Sequence, residues 1–119
     1  MDTRQIGDMI ADHMRTGREL QLLDLLYAPD AVSVERLDFG KGTEFHGIDA
    51  IRDKKLYMMQ HFPLVGLTVH GPYLHGEDRF IMVYFANVND SLTSQNEALS
   101  VAGHYTVAGG KIVREEFFM

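Results

Sequence analysis

The chain has 119 residues, 45% of them hydrophobic and 24% charged, with no cysteine and a formal net charge of −6. That length suits one domain over residues 1–119 with a core of its own, and the absence of cysteine excludes disulfides, thiolate metal sites and thiol nucleophiles. The acidic balance, with no basic cluster beyond Lys54 and Lys55, argues against nucleic acid and anionic membrane surfaces as partners, because both demand concentrated positive charge.

The opening stretch MDTRQIGDMI has an acid at position 2 and no apolar run of signal-peptide length. No segment nears the roughly 20 apolar residues that span a bilayer, so the expected setting is the cytoplasm. Ile6, Met9, Ile10, His13 and Met14 recur at helical spacing and predict a first helix with one core-facing stripe. Gly17 interrupts it, and Thr16-Gly17-Arg18-Glu19 matches a capping box for a second helix through Leu20, Leu22, Leu23, Leu25, Leu26 and Tyr27. Pro29 is expected to end that helix, since the residue before a proline avoids helical angles.

A short β-branched strand is predicted over Val32 to Leu37, then a polar, glycine-containing loop over 38–43. Ile48 to His61 reads as a third helix, with Ile48, Ile51, Leu56, Met58 and Met59 as candidates for its buried side. Four strands follow: Leu64 to Leu74, Arg79 to Val88, Leu92 to Val107 and Ile112 to Phe118, separated by glycine- and asparagine-containing turns. In the third of these, Leu99, Val101, Tyr105 and Val107 alternate with polar or small residues, the period of a half-buried antiparallel strand. Helices first and hairpins afterwards predict an α+β fold with the helices on one side of a sheet.

This order, with LYAPDAVSVE at 26–35, EFHGIDAIRD at 44–53 and HYTVAGGKIVREEFF at 104–118, resembles the nuclear-transport-factor-2-like superfamily, which includes ketosteroid isomerases and SnoaL-like polyketide cyclases. The resemblance implies a cone-shaped roll in which three N-terminal helices pack against a curved, mostly antiparallel sheet enclosing a pocket. It also implies a small apolar organic ligand and a homodimer formed through the sheet face. The fold hosts enzymes, binders and scaffolds alike, so it does not by itself name a reaction.

In ketosteroid isomerases the strand after the tyrosine-alanine turn ends in the aspartate that moves the proton. Laid without a gap on Tyr27 to Glu35, that pattern puts Glu35 at the aspartate's position. Carboxylates in apolar cavities have their charged form disfavoured, which makes them usable bases near neutral pH. The isomerase's second aspartate corresponds to Gly103, and its helix-one tyrosine falls at about Ile10, so two oxyanion donors worth about 2.7–4 kcal/mol each are missing. This argues against steroid isomerisation by the known arrangement.

Tyr105 lies two residues from Gly103, on the same strand face, and is the candidate replacement donor. Glu115 resembles an inward, apolar position of the isomerases, and with Glu35 would make a two-carboxylate site with mutually shifted pKa values. A shift of one residue would turn Glu116 inward instead, and an alternating charged edge strand is the competing reading of both. The implied pocket lining is Tyr27, Tyr57, Tyr73, Met82, Tyr84, Val101, Gly103 and Phe117. The histidines lack metal-ligand spacing and no phosphate-binding loop is present, so neither a metal nor a cofactor is expected. Two functions compete: a cofactor-independent isomerase, cyclase or hydratase with Glu35 as base, acting beside a carbonyl, and a non-catalytic ligand-binding or dimerisation module.

Overall fold

The structure, a computed structural model, describes residues 1–119. Helix α1 runs over Thr3–Arg15, and its start is fixed by a capping box one helix earlier than expected. The Asp2 carboxylate accepts from the Gln5 N–H at 2.8 Å, while the Gln5 side chain accepts from the Asp2 N–H at 2.9 Å. The box anticipated at Thr16 to Glu19 does not form. The Thr16 hydroxyl instead donates back to the Asp12 carbonyl at 3.0 Å, so it is spent on the end of α1. The chain continues through a 3-10 turn at Glu19–Leu22 into a single helical turn, α2, at Leu23–Leu26.

Strand β1 begins at once and spans Tyr27–Val34, earlier than the expected Val32. Pro29 therefore sits inside a strand instead of closing a helix. Pairing with strand β6 (Lys111–Phe118) shifts between Tyr27 and Val32, and at such an irregularity a missing N–H costs little. A short β2 at Glu44–His46 leads into α3, which occupies Ile48–His61 as the periodicity predicts. The buried residues of α3 are Ile51 and Lys54, whereas Leu56 and Met59 are exposed. The apolar residues of this helix are thus a poor guide to its inner face. Strands β3 (Leu64–Leu74), β4 (Arg79–Asn89), β5 (Asn96–Ala108) and β6 complete the chain.

The six strands form one sheet in the order β2-β1-β6-β5-β4-β3, antiparallel throughout except where β1 runs parallel to β6. The helices cover one face, giving the α+β roll that the sequence resemblance implies. On β4 the inner face carries Phe80, Met82, Tyr84, Ala86 and Val88, every second residue. Helix α1 approaches closely because residue 7 is glycine: a Cβ there would lie 2.6 Å from Pro72 Cβ. No helix is long and apolar enough to cross a membrane.

One irregularity decides which acid of β6 turns inward. The β5–β6 register pairs Thr106 with Arg114 but Val107 with Ile112, which leaves Val113 as an extra residue on β6. Such a bulge resets the alternation. Ile112 and Glu115 are both fully buried, while Glu116 is only half-buried and pairs with Arg114 at 2.6 Å.

Candidate functional site

A cavity of about 470 Å³ lies between the inner sheet face and the helices. Its wall is mostly apolar, with Met14, Met58, Leu67, Ala86, Leu99 and Val101 among the contributors. Its polar groups are few: Glu35, Lys54, Lys55 and the hydroxyls of Tyr27, Tyr84 and Tyr105 face this space, with Glu19 and Glu97 completing the set.

Three elements assemble the polar end. β1 supplies Tyr27, Ser33 and, one residue past its end, Glu35, whose N–H donates to the Thr43 carbonyl at 2.8 Å. α3 supplies Lys54 and Lys55, three and four residues after Ile51, so all three share the inward side of the helix. β6 supplies Glu115, which pairs across the parallel ladder with Ser33.

The contacts form a closed network of two cations and two anions. Lys54 Nζ donates to Glu35 Oε1 at 2.7 Å and to Ser33 Oγ at 2.9 Å, and lies 3.6 Å from Glu115 Oε2. Lys55 Nζ donates to Glu115 Oε2 at 3.1 Å. The Tyr27 hydroxyl donates to Glu115 Oε1 and the Ser33 hydroxyl to Glu115 Oε2 at 2.7 Å. Both lysine ammoniums also lie over the Phe117 ring, at 4.9 and 5.4 Å from its centroid. No buried side-chain nitrogen or oxygen lacks a partner, so these charges are tolerated inside because each is satisfied.

Burial opposes the charged form of Glu115, but Lys55, Lys54 and the two hydroxyls outweigh it and hold the carboxyl down at about 2. The two lysines separate. Burial pushes Lys54 below the ordinary lysine range and the adjacent Lys55 adds to this, against the pull of Glu115 and Glu35. Burial acts in the same sense on Lys55, but Glu115 and Glu19 overcome it and its affinity for the proton rises. Burial also raises the phenols of Tyr27, Tyr84 and Tyr105, so all three stay protonated. The Tyr84 and Tyr105 hydroxyls lie 2.7 Å apart. One of their two protons is used between them, which leaves the other for a cavity occupant.

Of the residues singled out in the sequence, Glu35, Tyr27, Tyr84, Tyr105, Val101 and Phe117 line the cavity together. Glu115 lies behind the floor and reaches the cavity through Lys54, Lys55 and Tyr27. Four placements differ from expectation. Tyr73 is exposed on β3, the edge strand. Tyr57 turns to the loop and donates to the Phe39 carbonyl at 2.9 Å. Met82 is packed in the core. Gly103 presents no side chain, and the Tyr105 ring occupies its place: a Cβ on residue 103 would lie 2.9 Å from Tyr105 Cε2.

The residues that sequence reasoning missed are Lys54, Lys55 and Ser33. Lysines are not sought on a buried helix face, although the spacing Ile51, Lys54, Lys55, Met58 is that of an inward stripe. No group of three or more His, Asp or Glu side chains lies together as a metal site requires.

The sequence model of the SnoaL-like domain matches residues 8–115. Among solved structures, one named for SnoaL-like polyketide cyclases, from Mesorhizobium loti, is 27% identical over the whole of both chains with a TM-score of 0.92. A protein from Catenulispora acidiphila with a ketosteroid isomerase-like fold, solved with trimethylamine, is 16% identical, with 92% of this chain and 81% of that one covered and a TM-score of 0.73. TerC, crystallised with polyporic acid, is 20% identical over 93% of this chain and 87% of its own, with a TM-score of 0.71. No curated protein matches the sequence.

Proposed function

The chain belongs to the SnoaL-like domain family, and from that premise we propose that it binds a small, largely apolar carbonyl compound and moves a proton next to the carbonyl. The observation that carries this reading is the Glu35–Lys54 pair on the wall of a mostly apolar cavity. A largely apolar cavity with a carboxylate and fixed donors at its polar end is what proton abstraction beside a carbonyl requires. Glu35 is the base. The uncommitted hydroxyl of the Tyr84–Tyr105 pair and the Lys55 ammonium are the donors toward the developing oxyanion. In this arrangement tyrosine and lysine stand in for the donors that Gly103 and Ile10 do not supply.

The test is proton exchange at the α-carbon of 2-tetralone in deuterated buffer, monitored by NMR. The unaltered protein accelerates exchange over buffer, and Glu35→Gln, confirmed as folded by circular dichroism, loses about 100-fold or more of that rate. Equal rates in the two proteins would remove Glu35 from the chemistry. The second reading, a binder without catalysis, is favoured by the 2.7 Å contact that holds Lys54 on the Glu35 carboxylate. It is established instead if 2-naphthol binds the cavity but 2-tetralone exchange stays at the buffer rate.

A further inference from the structure

We infer that Lys54 is a nucleophilic amine that captures aldehyde or ketone ligands of this cavity as a protonated imine. The inference rests on the reading of the cavity as a carbonyl-binding site and deepens it.

A lysine at this position satisfies the geometric needs of imine formation. It lines the cavity, yet its side chain is only 4% exposed, so a carbonyl reaching it meets little competing water. Its nitrogen makes two hydrogen bonds within ordinary distance, to Glu35 and Ser33, one fewer than an ammonium can make. The next acceptor, Glu115, stands at 3.6 Å. A carboxylate 2.7 Å from the nitrogen gives its proton somewhere to go.

Adjacent Lys55 completes the device. An amine is made nucleophilic by an apolar site and by a neighbouring cation, and Lys54 has both. Lys55 itself is anchored on Glu115, a carboxyl further held by Tyr27 and Ser33. The two lysines therefore divide the work. One gives up its proton; the other keeps it and remains the fixed charge. Divergent proton affinities of neighbouring groups mark such divisions of labour, and burial drives Lys54 down while Glu115 draws Lys55 up.

The step balances within the site. The Lys54 ammonium passes one proton to Glu35, and the free amine attacks the carbonyl carbon, forming the C–N bond. The former carbonyl oxygen takes a proton from that nitrogen to give a carbinolamine. Glu35 then returns its proton to this hydroxyl, which leaves as water, and the nitrogen lone pair closes the C=N⁺ bond. Positive charge begins and ends on the Lys54 nitrogen, so the ion pair with Glu35 survives. The iminium makes the adjacent C–H more acidic than the free carbonyl does, with Glu35 already beside it.

The experiment uses the full chain with 2-naphthaldehyde, which has no α-proton, and sodium cyanoborohydride, which supplies hydride to the imine. Adducts are located by peptide mapping among Lys41, Lys54, Lys55 and Lys111, the chain's lysines. Lys54 is expected to label faster than Lys41 or Lys111, because its amine stands in an apolar cavity beside a second cation. Lys54→Arg abolishes that adduct, and 2-naphthol protects Lys54 in the unaltered protein, a readout that does not depend on the variant folding. Labelling of Lys54 no faster than of Lys41, or labelling at Lys55 instead, overturns the inference. No adduct with 2-naphthol still bound overturns the imine alone and leaves proton transfer by Glu35 standing. No binding of either compound overturns both.

Discussion

Replacing Glu115 with glutamine keeps the size and hydrogen-bonding reach of the side chain but removes its charge, leaving Lys54 and Lys55 with only Glu35 as a buried counter-ion. The magnitude comes from the depressed carboxyl. A fall from an ordinary value of 4.5 to about 2, at about 1.4 kcal/mol per pKa unit, corresponds to about 3 kcal/mol of stability. Breaking a buried charge pair by removing one member costs a similar amount, about 3–5 kcal/mol. Because the folded value lies below the unfolded one, the contribution is complete above about pH 4.5 and disappears as the pH falls through about 2. Urea titrations at pH 7 and pH 3 check both features. Glu115→Gln should unfold about 3 kcal/mol more easily at pH 7, and its stability should decline less steeply into acid than that of the unaltered protein. If the variant stays within about 1 kcal/mol at pH 7, close to the reach of linear extrapolation, and its acid limb runs parallel, the network is not what stabilises the floor.

Two further substitutions probe the remaining walls. Gly103→Asp, which restores the acid found in ketosteroid isomerases, should cost about 1–3 kcal/mol through overpacking. The new Cβ meets a Tyr105 ring already stacked on Phe80 at 4.7 Å, and a thermal midpoint unchanged from that of the unaltered protein would refute this. Tyr57→Phe removes the bond to the Phe39 carbonyl and should cost about 0.5–1.5 kcal/mol. It should also speed proteolytic cleavage within residues 38–43, and a cleavage rate equal to that of the unaltered protein would show that the loop is held by other contacts, such as the edge-to-face pair of Phe39 and Phe62.

The fold was legible in the sequence wherever periodicity was strong. The stripe of α1 and the alternation in β4 and β5 carry their pattern in side chains whose burial drives the structure. The second helix was not legible, because its leucines fit a helical stripe while the chain packs them on a 3-10 turn and one short α turn. Glu35 could be placed from the resemblance to ketosteroid isomerases, and Tyr105 from its strand parity with Gly103. Glu115 was set inward by the resemblance with Glu116 left as the alternative, since an extra residue at Val113 inverts the parity of β6 and nothing in VREEF announces a bulge. Lys54 was hidden for another reason: its burial depends on Glu35, Ser33 and Glu115 arriving from two other elements, and helix periodicity carries no information about them.

The parallel pairing of β1 with β6 has a bearing on synthesis. Residues 27–34 leave the ribosome well before their sheet neighbour, residues 111–118, which follows the other five strands and the helices. Until then Lys54 and Lys55 have no Glu115 to meet, and β1 holds only the short β2 on its other side. The cavity floor should therefore close in a single late event during translation, when β6 zips between β1 and β5. A nascent chain stalled before residue 111 would carry three helices and two separate pieces of sheet, but no cavity floor.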